Sequence, residues 1–309
     1  MKNPSLSPLS GLLNINKPPG ITSHDVVNRV RKLAGQRKVG HAGTLDPLAS
    51  GVLLVCLGQA TRLIEYLMAG RKQYQATLRF GITTDTLDAE GQITAQNDIS
   101  NLTEAHLRQI LPSFLGKIEQ IPPLFSAIKK AGQPLYKRAR AGEMIEVEAR
   151  VVTIDDLTWV AWQPPDLTLD ITCSPGTYIR SLARDLGQAA GPGAHLAGLI
   201  RTASGPWRLA EAVSLETLEY EAAQGSSMWQ RYLHPPDQAV AHLARVTLSA
   251  EEAAQVQQGR QIQIDFASDA TPFDSLVRAY TPDGDFLAIL TLVEPDAKLW
   301  QPKKVFQTK

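Results

Sequence analysis

Gly40-His41-Ala42-Gly43-Thr44-Leu45-Asp46-Pro47-Leu48-Ala49-Ser50-Gly51, running straight into Val52-Leu53-Leu54-Val55-Cys56-Leu57, is the stretch on which the reading of this chain turns. The second half is a continuous apolar run of strand length, the pattern of a central strand buried on both faces. The first half suspends one acid, Asp46, among small residues and turn formers with only His41 titratable nearby. The glycines and Pro47 restrict the backbone there. An Asp-Pro turn explains the local residues; a single carboxylate held at the rim of a cleft explains its isolation as well.

Working outward, strand and helix patterns interleave. Upstream, Ser23 is a candidate N-cap for a helix with Val26, Val27, Val30 and Leu33 on one face, Arg29, Arg31 and Lys32 turned outward, and Gly35 as a left-handed stop. Downstream, Tyr74, Ala76, Leu78 and Phe80 alternate with Gln75, Thr77 and Arg79 as a half-buried strand, and Asp88-Ala89-Glu90-Gly91 closes a hairpin. Leu102 to Leu115 has helical spacing and stops at Gly116. A Pro- and Gly-punctuated insertion over about 120–150 follows, beginning near Ile121-Pro122-Pro123. Leu167, Leu169, Ile171 and Cys173 mark another strand, and Ser174-Pro175-Gly176 leads to a helix with Ile179, Leu182, Ala183 and Leu186 inward. This is an α/β or α+β sheet domain. Ser249-Ala250-Glu251-Glu252 is a capping box for a short helix ending at Gly259. Strands at 276–280 and 286–293 then flank the turn Thr281-Pro282-Asp283-Gly284-Asp285. The expected division is therefore a domain over 1–243 and a small β-rich module over 244–309, as suits a chain of 309 residues.

Bulk properties exclude several classes. No apolar run approaches the roughly 18 residues that would suggest a membrane span, and Met1 to Pro8 has no apolar core of a secretory signal, so cytoplasm is the default. Cys56 and Cys173, far apart in apolar runs, read as core residues rather than a disulfide or thiolate metal site. Lys+Arg and Asp+Glu both number 31, so total charge does not suggest a nucleic-acid partner. Distribution does. Arg29, Arg31, Lys32, Arg37 and Lys38 lie in an acid-free stretch from Val26 to Leu45. Lys129, Lys130, Lys137, Arg138 and Arg140, with Tyr136, lie in another from Ser126 to Arg140. Two such stretches point to a polyanion surface.

Further motifs flank the Asp46 loop in a fixed order. Lys17-Pro18-Pro19-Gly20-Ile21-Thr22-Ser23-His24 precedes it and Gly58-Gln59-Ala60-Thr61-Arg62 ends the apolar run. Lys72-Gln73-Tyr74, Gly81-Ile82-Thr83-Thr84-Asp85-Thr86-Leu87-Asp88 and Gly176-Thr177-Tyr178-Ile179-Arg180-Ser181-Leu182-Ala183-Arg184-Asp185-Leu186-Gly187 follow. This arrangement closely resembles the bacterial tRNA pseudouridine synthase family that modifies the T arm. The resemblance implies a catalytic domain on a mixed, mainly antiparallel sheet and a PUA-like β-barrel at the C-terminus, here rich in acids such as Asp265, Asp269, Asp274 and Asp283. It also implies isomerisation of uridine 55 in the T loop of tRNA. No cofactor, metal, membrane or guide RNA is expected, and the chain would act as a monomer.

The same resemblance assigns roles. Asp46 is the nucleophile or base; Arg180 keeps it ionised through a bidentate ion pair; Tyr74 and Tyr178 hold the uracil and Leu199 walls its pocket. His41 fills the space left by the extruded base, and Lys17 braces the catalytic loop. The RNA backbone falls to Arg29, Arg31, Lys32, Lys129, Lys130, Lys137, Arg138 and Arg140. Periodicity alone sets Arg180 off the apolar stripe of its helix, as a solvated arginine, and reads Tyr74, Tyr178 and Leu199 as ordinary packing. His24, Asp25, His41 and Asp46 match no zinc spacing. A non-catalytic RNA-binding or chaperone module, and a hydrolase or lyase using Asp46 with His41, are the competing classes. Guide-RNA-dependent relatives share the Gly-Thr-Leu-Asp-Pro core, but the flanks and the insertion favour the stand-alone type.

Overall fold

The apolar run after Asp46 forms the strand Ser50–Leu57, in a computed structural model that describes residues 9–125, 129–130, 133–134, 147–225, 227–265 and 276–307. Both faces of this strand are covered, which is why its sequence shows no alternation. Leu53, Val55 and Leu57 pack with Leu13, Ile15, Val26, Val27 and Val30 in one cluster. Val52, Leu54 and Cys56 pack with Leu12, Trp207, Ile289 and Phe306 in another. Each Leu or Val so enclosed contributes about 1.5–3 kcal/mol relative to exposure.

The sheet around it has ten strands. Its main path runs Val213–Ser214, Gly11–Lys17, Ser50–Leu57, Ala194–Ser204, Lys72–Phe80, Asp166–Cys173, Arg150–Gln163, Gly116–Gln120, with Val39–His41 and Trp207–Arg208 paired off it. Only Gly11–Lys17 with Val213–Ser214 and Ala194–Ser204 with Ser50–Leu57 pair in parallel, so the sheet is mixed and mainly antiparallel, as expected. The second parallel pairing is two residues long, Ile200 with Ser50 and Arg201 with Gly51, and the Asp46 loop leaves the sheet at that point. Helices Ser23–Ala34 and Ile179–Ala190 lie over one face, their buried stripes being Val26, Val27 and Val30, and Ile179, Leu182, Ala183 and Leu186. The hairpin expected around Asp88 is present, joining Ile82–Thr84 to Ile93–Gln96.

The described residues between 244 and 305 build a second sheet, ordered Ala244–Thr247, Leu276–Tyr280, Phe286–Glu294, Leu299–Val305, Ile262–Gln263. Its core includes Val246, Val256, Leu287, Leu290 and Trp300, and the Ser249–Glu252 capping box opens the helix Ala250–Gln257. This sheet is fastened to the first. Arg62 donates to the Val305 carbonyl, Gln59 and Gln307 exchange two hydrogen bonds of 3.1 and 2.8 Å, and Lys304 donates to the Arg62 carbonyl at 2.6 Å and pairs with Glu65.

Three sequence expectations are corrected. The helix after Lys17 is capped by Thr22, in a reciprocal box with Asp25, and not by Ser23; the Ser23 hydroxyl is engaged elsewhere, by Leu45. The helix expected over 102–115 spans Glu104–Ile110 and tightens to a 3-10 turn, Leu111–Phe114, because Pro112 has no amide proton for an α-helical bond. Arg31 does not face outward. It is half-buried and donates to the Val39 carbonyl at 2.9 Å and to Asn28 Oδ1 at 3.0 Å, tying the helix end to the next strand. Lys129 and Lys130 pair in backbone with Pro134 and Gln133, while Tyr136, Lys137, Arg138 and Arg140 lie outside the described residues. Among the described residues no helix is long and apolar enough to cross a membrane.

Candidate active site

The Asp46 loop is fixed by side chains from three different elements. From the helix, buried Ser23 accepts from Leu45 N at 2.8 Å and donates to Leu45 O at 2.9 Å, closing both polar groups of the residue before Asp46. From the end of the first strand, fully buried Lys17 donates to Pro47 O at 3.3 Å and Pro18 O at 2.9 Å, and Gly20 N adds a bond of 2.8 Å to Pro47 O. From the strand Ala194–Ser204, Arg201 donates to Gly43 O at 3.0 Å, Thr44 O at 3.4 Å and Val52 O at 2.6 Å. Gly51 closes the loop with φ +100, and a Cβ there would lie 2.3 Å from the Arg201 carbonyl oxygen, so only glycine fits.

Asp46 faces Arg180 across the end of the sheet. Arg180 is 5% exposed, on the first turn of the helix Ile179–Ala190, and its Nε lies 2.9 Å from Asp46 Oδ2. The Nε–H is turned off that oxygen and makes no aligned hydrogen bond. The guanidinium instead spreads over several acceptors: Asp88 Oδ2 at 3.4 Å, Thr86 O at 3.0 Å and Phe125 O at 3.0 Å. The bidentate hold on Asp46 is therefore corrected to a single ionic contact. The expectation of a solvated arginine also fails, because the Thr84–Gly91 turn and the Ile121–Phe125 segment cover the helix face that periodicity leaves polar. The Asp46 side chain is 35% exposed, yet its surroundings raise its pKa above 3.8. Burial is the main cause, opposed by Arg180, reinforced by Asp88 and opposed again by Lys17.

The remaining residues gather around this pair. Tyr74 is buried with its phenol pKa raised, first by burial and then against the pull of Arg201, its cross-strand neighbour. Leu199 lies two residues before Arg201 and is nearly buried. Tyr178 caps the helix bearing Arg180, its N–H donating to Gln120 Oε1 at 2.7 Å. His41 is half-buried with Nδ1 unpartnered, and burial followed by Arg201 lowers its pKa. Burial likewise brings Lys17 down to about 8 and Lys72 down to about 8. The basic helix surface stands apart: Arg29 is exposed beside Glu219 at 3.6 Å, and Lys32 is exposed.

Sequence reasoning missed Asp88, Arg201, Lys72 and the true use of Ser23. A signal existed for two of them and for Lys17 alike. Lys17 shares strand parity with Leu13 and Ile15, Lys72 with Tyr74 and Ala76, and Arg201 with Leu199 and Ala203, so each cation occupies an inward position of its strand. Asp88 carried none, because its turn reads as ordinary hairpin chemistry.

A sequence profile described as "TruB family pseudouridylate synthase (N terminal domain)" matches residues 31–179, which hold Asp46, Tyr74 and Asp88. A second, described as "tRNA pseudouridylate synthase B C-terminal domain", matches residues 180–241, beginning at Arg180. The chain belongs to the tRNA pseudouridine synthase B family. Among its relatives, the tRNA pseudouridine synthase B of Pseudomonas aeruginosa is 45% identical over 282 residues, covering 91% of each chain. That of Synechocystis is 50% identical over 244 residues, covering 78% of this chain and 81% of the relative. Among solved structures, an H/ACA RNP bound to a substrate RNA containing 2'-deoxyuridine aligns with a TM-score of 0.73 at 26% identity, over 96% of this chain and 85% of that one. Membership in the synthase B family makes the chain an enzyme, a pseudouridine synthase, and removes the non-catalytic and hydrolase readings.

Proposed function

We propose that this enzyme converts uridine to pseudouridine in tRNA, at position 55 of the T loop, with Asp46 as the reacting carboxylate. The observation that carries the reading is the pairing of a partly exposed carboxylate with a buried arginine, Asp46 with Arg180, at 2.9 Å. In the reaction the bond from C1′ to N1 breaks, the uracil turns, C1′ bonds to C5, and the C5 proton is lost while N1 gains one. Nothing is oxidised and no co-reactant enters. Asp46 attacks C1′, adds to C6 of the uracil or removes the C2′ proton, and each of these routes needs the ionised form that Arg180 favours. Tyr74 and Tyr178 hold the extruded base, Leu199 walls it and His41 occupies the gap left in the RNA, at an unstacking cost of a few kcal/mol.

We further assign residues 1–243 as the catalytic domain and 244–309 as a PUA-like module. The enzyme would recognise tRNA directly, without a guide RNA, in the cytoplasm and as a monomer. Support for direct recognition is the 45–50% identity to proteins named for tRNA. The test is to treat unmodified tRNA transcripts with purified protein and map pseudouridine by base-resolved chemistry. Modification at the T-loop uridine by the wild type and none by Asp46→Asn is expected. Modification elsewhere, or turnover by Asp46→Asn, overturns the reading.

A further inference from the structure

The largest fully buried side chain among the described residues belongs to one that forms no ion pair with Asp46. Arg201 is 1% exposed, and no carboxylate pairs with it among the described residues. A buried guanidinium carries a large desolvation cost, which hydrogen bonds from all sides must offset. Besides its interaction with the Tyr74 phenol, its bonds go to three backbone carbonyls that bracket the Asp46 loop: Gly43 and Thr44 on the entering limb, Val52 on the leaving limb. The donors of one rigid planar group thus set the distance between the two limbs. Ser23 performs the matching task at the tip, where one hydroxyl joins both N–H and C=O of Leu45. Neither residue is needed to fill the core with apolar volume, and neither is exposed to an RNA chain.

We infer that Arg201 and Ser23 are positioning residues for Asp46: they fix the loop so that its carboxylate is held at the reacting distance before substrate arrives. This rests on the reading of Asp46 as the reacting group. Catalysis by a positioned carboxylate is steep in distance, and a displacement of about 1 Å costs on the order of 100-fold in rate. Lysine in place of Arg201 keeps the charge but loses the fork, so it cannot reach both limbs. Alanine in place of Ser23 removes one oxygen and frees Leu45 from the helix.

The experiment measures single-turnover pseudouridine formation at saturating tRNA, tRNA affinity and thermal unfolding for Arg201→Lys, Ser23→Ala and Asp46→Asn. The reaction is run well below each variant's melting transition. The expected result is a rate loss of about 100-fold for Arg201→Lys and about 10-fold or more for Ser23→Ala, with tRNA Kd within about threefold, since phosphate contacts dominate affinity and neither residue makes any. A role in stability alone would give the opposite split: a lower melting temperature but normal rates wherever the protein is folded. Normal single-turnover rates in folded Arg201→Lys and Ser23→Ala, beside a dead Asp46→Asn, overturn this inference alone. If Arg201→Lys fails to fold, a normal rate in Ser23→Ala overturns it. Turnover by Asp46→Asn overturns the reading of the site beneath it.

Discussion

As the proposed reacting group Asp46 needs its charge in surroundings that resist it, and the residues that adjust this balance can be told apart by sign. On the proposed role, protonation of Asp46 should abolish activity, so kcat/KM should fall on an acid limb set by its pKa in the free enzyme, which burial raises above the ordinary 3.8. Asp88 adds to that rise and Lys17 opposes it. Asp88→Asn should therefore move the acid limb to lower pH and Lys17→Met to higher pH, whatever each does to the maximal rate. Limbs moving together in a tRNA assay from pH 4.5 to 8 would show that Asp46 is not the group titrating. Arg180→Lys should lose most activity with a modest loss of stability: a single ammonium cannot reach Asp46, Asp88, Thr86 O and Phe125 O together. Rates like the wild type between pH 6 and 8 would contradict that. At this scale the sequence was legible where chemistry is local. Asp46 stands out because nothing charged surrounds it, while Arg201 was invisible because the carbonyls that fix it lie about 150 residues away in sequence.

Helices and strands were read through the periodicity of their apolar faces, and that reading reaches only the face packed on the sheet. The helix Ile179–Ala190 shows the limit. Ile179, Leu182, Ala183 and Leu186 were correctly inward, yet Arg180 and Ser181 on its other side are equally buried, under a turn and a proline segment. No pattern within the helix could announce a cover supplied by residues 84–91 and 121–125. Its seat is marked by Gly187. A Cβ there would fall 2.1 Å from Ala194 N and 2.5 Å from Gly193 C, both backbone atoms that cannot turn aside. Gly187→Ala should destabilise the protein by about 1–3 kcal/mol and lower activity further by lifting Arg180. Urea unfolding checks the first effect, with an unchanged midpoint counting against so close a seat. The Ser23 correction belongs here too: Thr22 and Ser23 are equally good caps in sequence, and only the demand of Leu45 for a hydroxyl selects which one caps.

Across the whole molecule, net charge zero conceals buried cations around the Asp46 loop, Lys17, Arg180 and Arg201, with Asp46 and Asp88 among them. The basic stretch from Ser126 to Arg140 is the proposed longer-range contact with tRNA. Replacing Lys129, Lys130, Lys137, Arg138 and Arg140 with Gln should weaken tRNA binding and flatten its salt dependence. The log-log slope should fall by roughly 0.7 to 0.9 for each phosphate that is no longer neutralised, with little change in single-turnover rate at saturation. An unchanged slope would leave the exposed cations from Arg29 to Lys38 as the RNA surface. The fastening of the two sheets has a different consequence, one of timing. Ile289 and Phe306 belong to the same buried cluster as Leu12, Val52 and Leu54, so the cover on the outer side of the strand that carries the Asp46 loop is completed only when those late residues have left the ribosome. Synthesis releases the early part of a chain first, and exposed apolar strands are where nascent proteins go astray. The enzyme should thus become competent only after its far end docks, and ribosome-bound chains stalled before residue 286 should be protease-sensitive at the catalytic strand, however complete their active-site residues already are.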